Sequence, residues 1–586
     1  MEQAQAQLAE ELIRELVQRV IPAMRRPVST YRVQLNKAFG FEAAAALVPY
    51  LKSLGITDLY ASPYLKAAPG STHGYDVVDH NTLNPELGGA EGHRVLLEAL
   101  RAHGMGHILD FVPNHMAIGS ENPIWMDVLE NGPSSIYAPF FDIDWKPIKE
   151  ELENRVLVPI LGDQYGAVLE RGELKLTFEN GGFGISYWDH RFPVAPRQYT
   201  HLLRYRLPEL EKTLGADSVH LADYLSILTS LEKMPPRTET DPARIAERHR
   251  EKEVVKRRLA ALCDVCPEVK AFIDENVRIY NGEPGDPRSF DLLDNLLREQ
   301  AYRLAYWRVA AEEINYRRFF DVNSLAAIRM EDPRVLRHSH LLVFELIARG
   351  ELNGLRIDHP DGLHSPTEYF RALQQEFVVQ SCRRLHRQKR AGMPEEALEE
   401  EWRALEPVLR ARQAQEAAQG RDSPLYRPLY VVVEKILALE EKPPQSWPVH
   451  GTTGYDFMTL LNGLFVDRES ARAMSDVFVR FTGEKLDFEE LVYQKKRLIM
   501  SDSMSSEINV LARQLNRISE LDRRTRDFTL NSLKRALIEV IACFPVYRTY
   551  VSENGEPPDE RDRHWVEKAV ARARRRNPTL NSSIFH

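Results

Sequence analysis

From Ser29 onward, short β-rich runs alternate with amphipathic helical runs: STYRVQL, FEAAAALVPYLKSLG, TDLYAS, AEGHRVLLEALRAHG and HILDFVP. Strand, helix, strand, helix, strand predicts parallel βα units that begin near residue 28. Gly55 and Gly104 each close a helical run just before a strand, where a left-handed helix stop is expected. Past Ala117 the rhythm breaks, and about 200 residues read as an insertion in a βα loop. Its first part, from Ile124 to Val194, reads as irregular and aromatic, and Asp241 to Arg318 as largely helical with a charged solvent face. The βα pattern resumes near Asn353 with NGLRID. A charged helical stretch, Glu368 to Gln419, separates that strand from PLYVVVEKIL, whose YVVV has the composition of a fully buried strand. GTTGYDFM reads as a sixth strand end, and Leu460 to Arg576 as helical. The chain thus divides into 1–116, an inserted region 117–340, a continuation 341–457 with its own helical insertion near 368–420, and a helical region 458–586.

Composition narrows the class. Of 586 residues, 43% are hydrophobic and 28% charged, an ordinary balance for a globular chain with a large core. A net charge of -9 gives no field that would recruit nucleic acid or an anionic membrane face. The opening MEQAQAQLAEELIRELVQRVIP scatters acidic residues through a helical period and lacks the pattern of a signal peptide. No run of about 18 apolar residues is present for a membrane span. The four cysteines, Cys263, Cys266, Cys382 and Cys543, are too few for a disulfide framework. Cytoplasmic residence is the expectation. Cys263 and Cys266 form a lone CxxC without a second ligand pair, so neither a metal nor a redox site is read there. Phosphate-cradling glycine motifs are absent, and no cofactor is expected.

Chemistry-bearing residues gather after the predicted strands: ASPYLKAAPGSTHGYDVVDHN after the second, LDFVPNHM after the third, GLRIDHPDG at the fourth and VVVEKIL at the fifth. Together they put Asp110, Asn114, His115, Arg356, Asp358, His359 and Glu434 at C-terminal strand ends. Retaining glycoside chemistry needs one carboxylate nucleophile and one carboxylic acid about 5 Å apart. Asp358 and Glu434, on adjacent strands, suit that requirement, since two strand-end carboxylates buried without a task would be costly. By contrast, Asp110 reads as the cap of a turn, Asn114 as structural, and Asp361 with Gly362 as a tight turn. Trp125, Trp145, Tyr187 and Trp188 read as core of the inserted region as readily as sugar-stacking platforms.

DFVPNH, GLRIDHPDG and the VVVE strand resemble the first three conserved regions of the α-amylase superfamily, glycoside hydrolase family 13. The combination STYRVQLN, GSTHGYDVVDHN, WMDVLENGPSSIYAPFFDIDW, INYRRFFDVNSLA, GLRIDHPDGL, VEKIL, GTTGYDF and IACFPVYRTY is similar to the maltooligosyl trehalose synthases within it, over about residues 28 to 585. That resemblance implies an α/β fold, a (β/α)8 TIM barrel with large insertions in βα loops. It implies an isomerase, a (1→4)-α-D-glucan 1-α-D-glucosylmutase, which turns the reducing-end α-1,4 bond of a maltooligosaccharide into an α,α-1,1 bond. Asp358 is then the nucleophile, kept ionised by Arg356, and Glu434 the general acid and base, its proton held by the apolar YVVV strand. His115 and His359 would hydrogen-bond sugar hydroxyls and Tyr75 would stack on the ring. His73 and Asp76 would shape that wall, while Asp110 and Asn114 support loop geometry. The partners implied are an α-1,4-glucan substrate and a maltooligosyl trehalose hydrolase that consumes the product, with neither nucleic acid nor membrane.

The chain departs from this pattern in one respect. The superfamily's third catalytic carboxylate, an Asp in a late His-Asp pair, has no counterpart, because the chain contains no His-Asp dipeptide. The barrel is therefore expected to be incomplete at the C-terminus, without its last strands and closing β-domain. Two further readings stand beside the mutase: another α-glucan hydrolase or transglycosylase of the superfamily, and an inactive, truncated glucan-binding fragment.

Overall fold

The computed structural model describes residues 2–551, 557–580 and 582–585. Two compact units account for the chain: residues 1–116, 328–498 and 515–586 form the first, and residues 117–327 with 499–514 form the second.

The first unit is organised on five parallel strands. In chain order its elements include β1 (Thr30–Val33), α1 (Phe41–Ser53), β2 (Asp58–Ala61), α2 (Gly89–Ala102), β3 (Gly106–Phe111), α3 (Pro333–Ala348), β4 (Gly354–Ile357), α4 (Pro366–Lys389) and β5 (Tyr430–Val433). The sheet order β1-β2-β3-β4-β5 follows the sequence, each neighbour parallel. Every residue of β3 and β4 is buried, as are the three valines of β5, which is why their composition is nearly continuous apolar rather than alternating. α1 and α2 pack on one another. They end at Gly55 (φ 81°) and Gly104 (φ 60°), left-handed positions that a Cβ would disfavour. Gly106 opens β3 for a different reason: a Cβ there would lie 1.8 Å from Oδ1 of Asp58, the buried carboxylate held by Arg25 at 2.7 Å.

GTTGYDFM does not form a sixth strand. Thr452 makes only an isolated parallel bridge with Val433, and α5 (Tyr455–Gly463) begins three residues later. Gly451 and Gly454, at φ 144° and 70°, leave the extended region, and the Thr453 hydroxyl donates to the Val433 carbonyl at 3.0 Å, closing off β5. α6 (Ala471–Thr482) follows.

The second unit holds a three-stranded antiparallel sheet of Leu174–Glu179, Gly182–Tyr187 and His190–Pro193. This stretch is more regular than its aromatic composition suggests. Asn180 and Gly181, at φ 51° and 74°, form the tight two-residue connection favoured between antiparallel strands. Val156–Leu161 pairs in parallel with Tyr302–Tyr306, and the helices Val219–Lys233, Pro242–Val265 and Pro267–Tyr280 complete the unit. Trp125 and Tyr187 are core residues and Trp145 is half-buried, whereas Trp188 sits on an exposed turn at φ 51°. Among the described residues no helix is long and apolar enough to cross a membrane.

Candidate active site

The site is assembled at the C-terminal ends of β3, β4 and β5. Registry puts Arg356 of β4 directly opposite Asp110 of β3, and Ile357 opposite Val433 of β5. Beyond the strands the ladder continues: the Asp358 amide donates to the Phe111 carbonyl and the Glu434 amide to the Ile357 carbonyl, both at 2.9 Å. Asp358 and Glu434 therefore emerge side by side on adjacent strands.

Asp110 is the hub of this end of the sheet. Its Oδ2 accepts from the hydroxyls of Tyr60 at 2.8 Å and Tyr75 at 2.6 Å, and its Oδ1 accepts from Nη1 of Arg356 at 2.7 Å. The same Nη1 donates to Oδ1 of Asp358 at 2.5 Å. Asp110 thus lies inside a buried strand and caps no turn, because β3 runs one residue past it. Burial, helped by the Asp110 charge, raises the Tyr75 and Tyr60 hydroxyls well above their ordinary range, so both remain donors. Burial opposes the charge of Arg356, but Asp110 in front, with Tyr60, Asp358 and Tyr75, outweighs it and keeps the guanidinium protonated.

Arg356 pulls on Asp358 in the expected direction, but the pull does not keep the carboxyl in its ordinary range. Burial pushes the Asp358 carboxyl up to about 7, against the pull of Arg356, and the charges of Asp110 and Glu434 add to the rise. One guanidinium shared between two buried carboxylates does not offset the desolvation of the second.

His359 adopts a left-handed backbone at φ 42°, uncommon for a residue with a side chain. That twist aims its amide N–H at Oε2 of Glu434, 3.0 Å away. Such strain persists where the surroundings over-determine it. Gly362 supplies part of that constraint: a Cβ there would lie 2.4 Å from both Oδ1 of Asn114 and Cδ2 of His359. Asn114 and His115 are buried, with Asn114 Nδ2 and His115 Nδ1 3.3 Å apart, and the Asn114 carbonyl accepts from Ile328 N–H at 2.9 Å. His73 and Asp76 flank Tyr75. The Tyr75 amide donates to Nδ1 of the exposed His73 at 3.1 Å, and Ser71 donates to Asp76 at 2.5 Å. Gly74, at φ 80°, lets this loop pass so close to Pro63 that a Cβ would lie 2.2 Å from its carbonyl oxygen.

Several neighbours escaped the sequence reading. Asp361 is more than a turn residue: it accepts from the buried Nζ of Lys435 at 3.1 Å and from the Tyr550 hydroxyl. Lys435 also pairs with Glu441 at 3.0 Å. Arg548 donates to the carbonyls of Asp361 and Leu363, both at 2.6 Å, and Tyr547 meets the His359 ring edge to face at 6.2 Å. The segment Tyr547–Tyr550 thus returns to the rim from nearly 190 residues away. The sequence reading used VYRTY only as part of the family resemblance, and its place at the rim depends on the contact.

Two adjacent strand-end carboxylates, one half-buried and one buried against a shared cation, form an arrangement suited to covalent displacement with acid and base assistance. Comparison with known proteins agrees with that chemistry. The family described as alpha amylase, catalytic domain, matches residues 45–165. The solved maltooligosyltrehalose synthase of Arthrobacter ramosus is 29% identical, with 95% of this chain and 52% of that one covered at a TM-score of 0.62.

Over most of its length the chain is similar to maltooligosyl trehalose synthases.

A Sulfolobus tokodaii structure described as a hypothetical maltooligosyl trehalose synthase is 26% identical, covering 96% of this chain and 54% of that one at a TM-score of 0.58. A Mycobacterium tuberculosis protein whose name proposes a maltooligosyl trehalose synthase is 28% identical over 499 residues, 84% of this chain and 44% of its own. The chain spans about half the length of these relatives. The fold is a TIM-barrel-like α/β fold.

Proposed function

We propose that this chain carries the two carboxylates of a maltooligosyl trehalose synthase, an intramolecular glucosyl transfer on an α-1,4-glucan. The observation that carries the reading is the emergence of Asp358 and Glu434 side by side from β4 and β5, with Arg356 bridging Asp358 to Asp110. The five parallel strands are taken as part of a (β/α)8 barrel and the second unit as an insertion in the βα loop after β3.

In the reaction, the Asp358 carboxylate attacks the anomeric carbon of the penultimate glucosyl unit. The bond to O4 of the reducing-end glucose breaks as Glu434 delivers its proton to that oxygen. The freed glucose turns and presents its anomeric hydroxyl, Glu434 removes that proton, and the new C1–O1 bond releases Asp358. Two inversions give an α,α-1,1 product with no net gain or loss of atoms. Water must be excluded while glucose turns, since hydrolysis is the competing outcome. Tyr75, His73, Asp76, His115 and His359 form the sugar-facing wall in this reading, Asn114 supports the loop behind it, and Asp110 and Arg356 hold the nucleophile. The pathway is cytoplasmic, and a hydrolase specific for the new terminus consumes the product.

Maltopentaose incubated with the 586-residue chain is expected to lose reducing ends without glucose release, and Asp358→Asn to abolish that loss. Glucose or maltose release would favour the hydrolase, and binding without turnover the glucan-binding reading.

A further inference from the structure

Glu434 meets the loop after β4 through Oε2, which accepts from the His359 amide at 3.0 Å. One hydrogen bond fixes a separation but leaves rotation about it open, and a reacting carboxyl has to be held in both position and angle. The next residue along the chain supplies a second tie. The Lys435 side chain is wholly buried, and its Nζ lies 3.1 Å from Oδ2 of Asp361 and 3.0 Å from Oε1 of Glu441, with the centre of the Tyr550 ring 5.8 Å away. Asp361 stands two residues after His359. Glu434 and Lys435, consecutive after β5, therefore grip the same short loop at residues 359 and 361.

Asp361 is itself fixed from several sides. Lys435 donates to one carboxylate oxygen and the Tyr550 hydroxyl to the other. Burial, helped by the Asp361 charge, lifts that hydroxyl well above its ordinary range, so it remains a donor. Arg548 holds the backbone of the turn Pro360–Gly362 through the carbonyls of Asp361 and Leu363. Glu441 is anchored too, since its Oε2 accepts from the Ala438 amide at 3.0 Å. Buried ions gain little net stability over apolar groups of the same size, so stability alone does not account for an ionic tie here. Orientation does: the left-handed His359 backbone that aims its amide at Glu434 sits on the loop these ties hold.

We propose that Lys435, acting through Asp361, is a positioning residue for Glu434. It locks the loop after β5 to the loop after β4, so that the His359 amide stays aimed at Oε2 and the carboxyl keeps one orientation beside Asp358. This role rests on the proposed reading of the site, in which Glu434 moves protons while Lys435 touches no substrate.

The test is NMR on the full 586-residue chain, isotope-labelled at aspartate carbonyls and histidine nitrogens. That labelling isolates the amides of His80, His190 and His359, the histidines that follow an aspartate. Glu434→Gln marks the His359 signal and calibrates how far it moves upfield when a charged acceptor is lost. Lys435→Met, which keeps the length of the side chain without its charge, is expected to move that signal upfield at least half as far, and Asp361→Asn to do the same. The double variant should move it no further than the larger single change, because partners in one network are not additive. Lys252→Met is the control for plain loss of stability: Lys252 is likewise buried, between Asp127 and Glu130 of the second unit, and its loss should lower the thermal midpoint without moving His359. Should Lys435→Met not fold, Asp361→Asn carries the same expectation alone. An unmoved His359 signal in a folded variant, additive shifts in the double, or an equal shift in Lys252→Met overturns the inference. If the parent converts maltopentaose to the trehalose-ended product, kcat of Lys435→Met should fall on the order of a hundredfold with KM within about twofold, and a loss carried by KM instead overturns the positioning role. A parent that releases glucose, or does not turn over, removes the mutase reading and leaves the His359 shifts to decide the tie.

Discussion

At the residue scale, Asp358 combines two demands that oppose one another. In the proposed role of nucleophile it must be ionised, yet burial lifts it to about 7. Turnover is therefore expected to rise with pH through about 7, read as the acid limb of kcat/KM. Asp110→Asn removes a repelling charge and leaves Arg356 to Asp358 alone, so that limb should move to lower pH with no change in circular dichroism; an unmoved midpoint would exclude the shared-cation account. The same shift has a sign in stability. An acid raised above its unfolded value of about 3.9 stabilises the fold while protonated, and that contribution is lost as pH rises through about 7. Asp358→Asn should therefore melt above the parent at pH 8, less so at pH 5, and converge on it only below about pH 4, a difference readable by calorimetry without turnover. The carboxylates Asp358 and Glu434 were legible as strand-end acids, but the sharing of one guanidinium was not, because it depends on the Arg356–Asp110 register across β4 and β3.

At the scale of elements, the strands were legible where composition and position agreed. HILDFVP, NGLRID and YVVV became β3, β4 and β5 because each is mostly apolar and buried on both faces. GTTG was misread because its glycines break the extended backbone, and the meander of the second unit was missed although Asn180-Gly181 is a strong hairpin signal. Two glycines just before and at the start of β3 separate backbone need from packing need. Gly104→Ala meets no atom within 4 Å and pays only for its left-handed φ, about 1 kcal/mol. Gly106→Ala drives a methyl into Asp58 and Arg25 and should cost about 1–3 kcal/mol or more by urea unfolding. Equal costs would refute the packing explanation.

At the scale of the whole molecule, the buried histidines of the first unit include His80, His93, His107 and His340, whose rings burial holds toward the neutral form. Burial pushes His80 and His93 down to about 4, and His107 and His340 to about 3. A base lowered in the fold contributes stability above its unfolded value of about 6.5 and loses it as pH falls toward 4. The unfolding free energy from urea titrations should fall between pH 6.5 and 4, by up to about 1.4 kcal/mol per pH unit for each histidine. Replacing His80 and His340 by Gln should flatten that slope. The sequence by itself determined the five parallel strands of the first unit and the helices between them, that acids stand at strand ends, and the kinship those motifs carry, since these depend on local periodicity and on short contiguous runs. Only the tertiary structure decided that Asp110 is a hub and that Asp358 titrates high. It alone decided that Tyr547–Tyr550 returns to the rim and that Lys435 is buried against Asp361, because register and burial are properties of segments brought together from far along the chain.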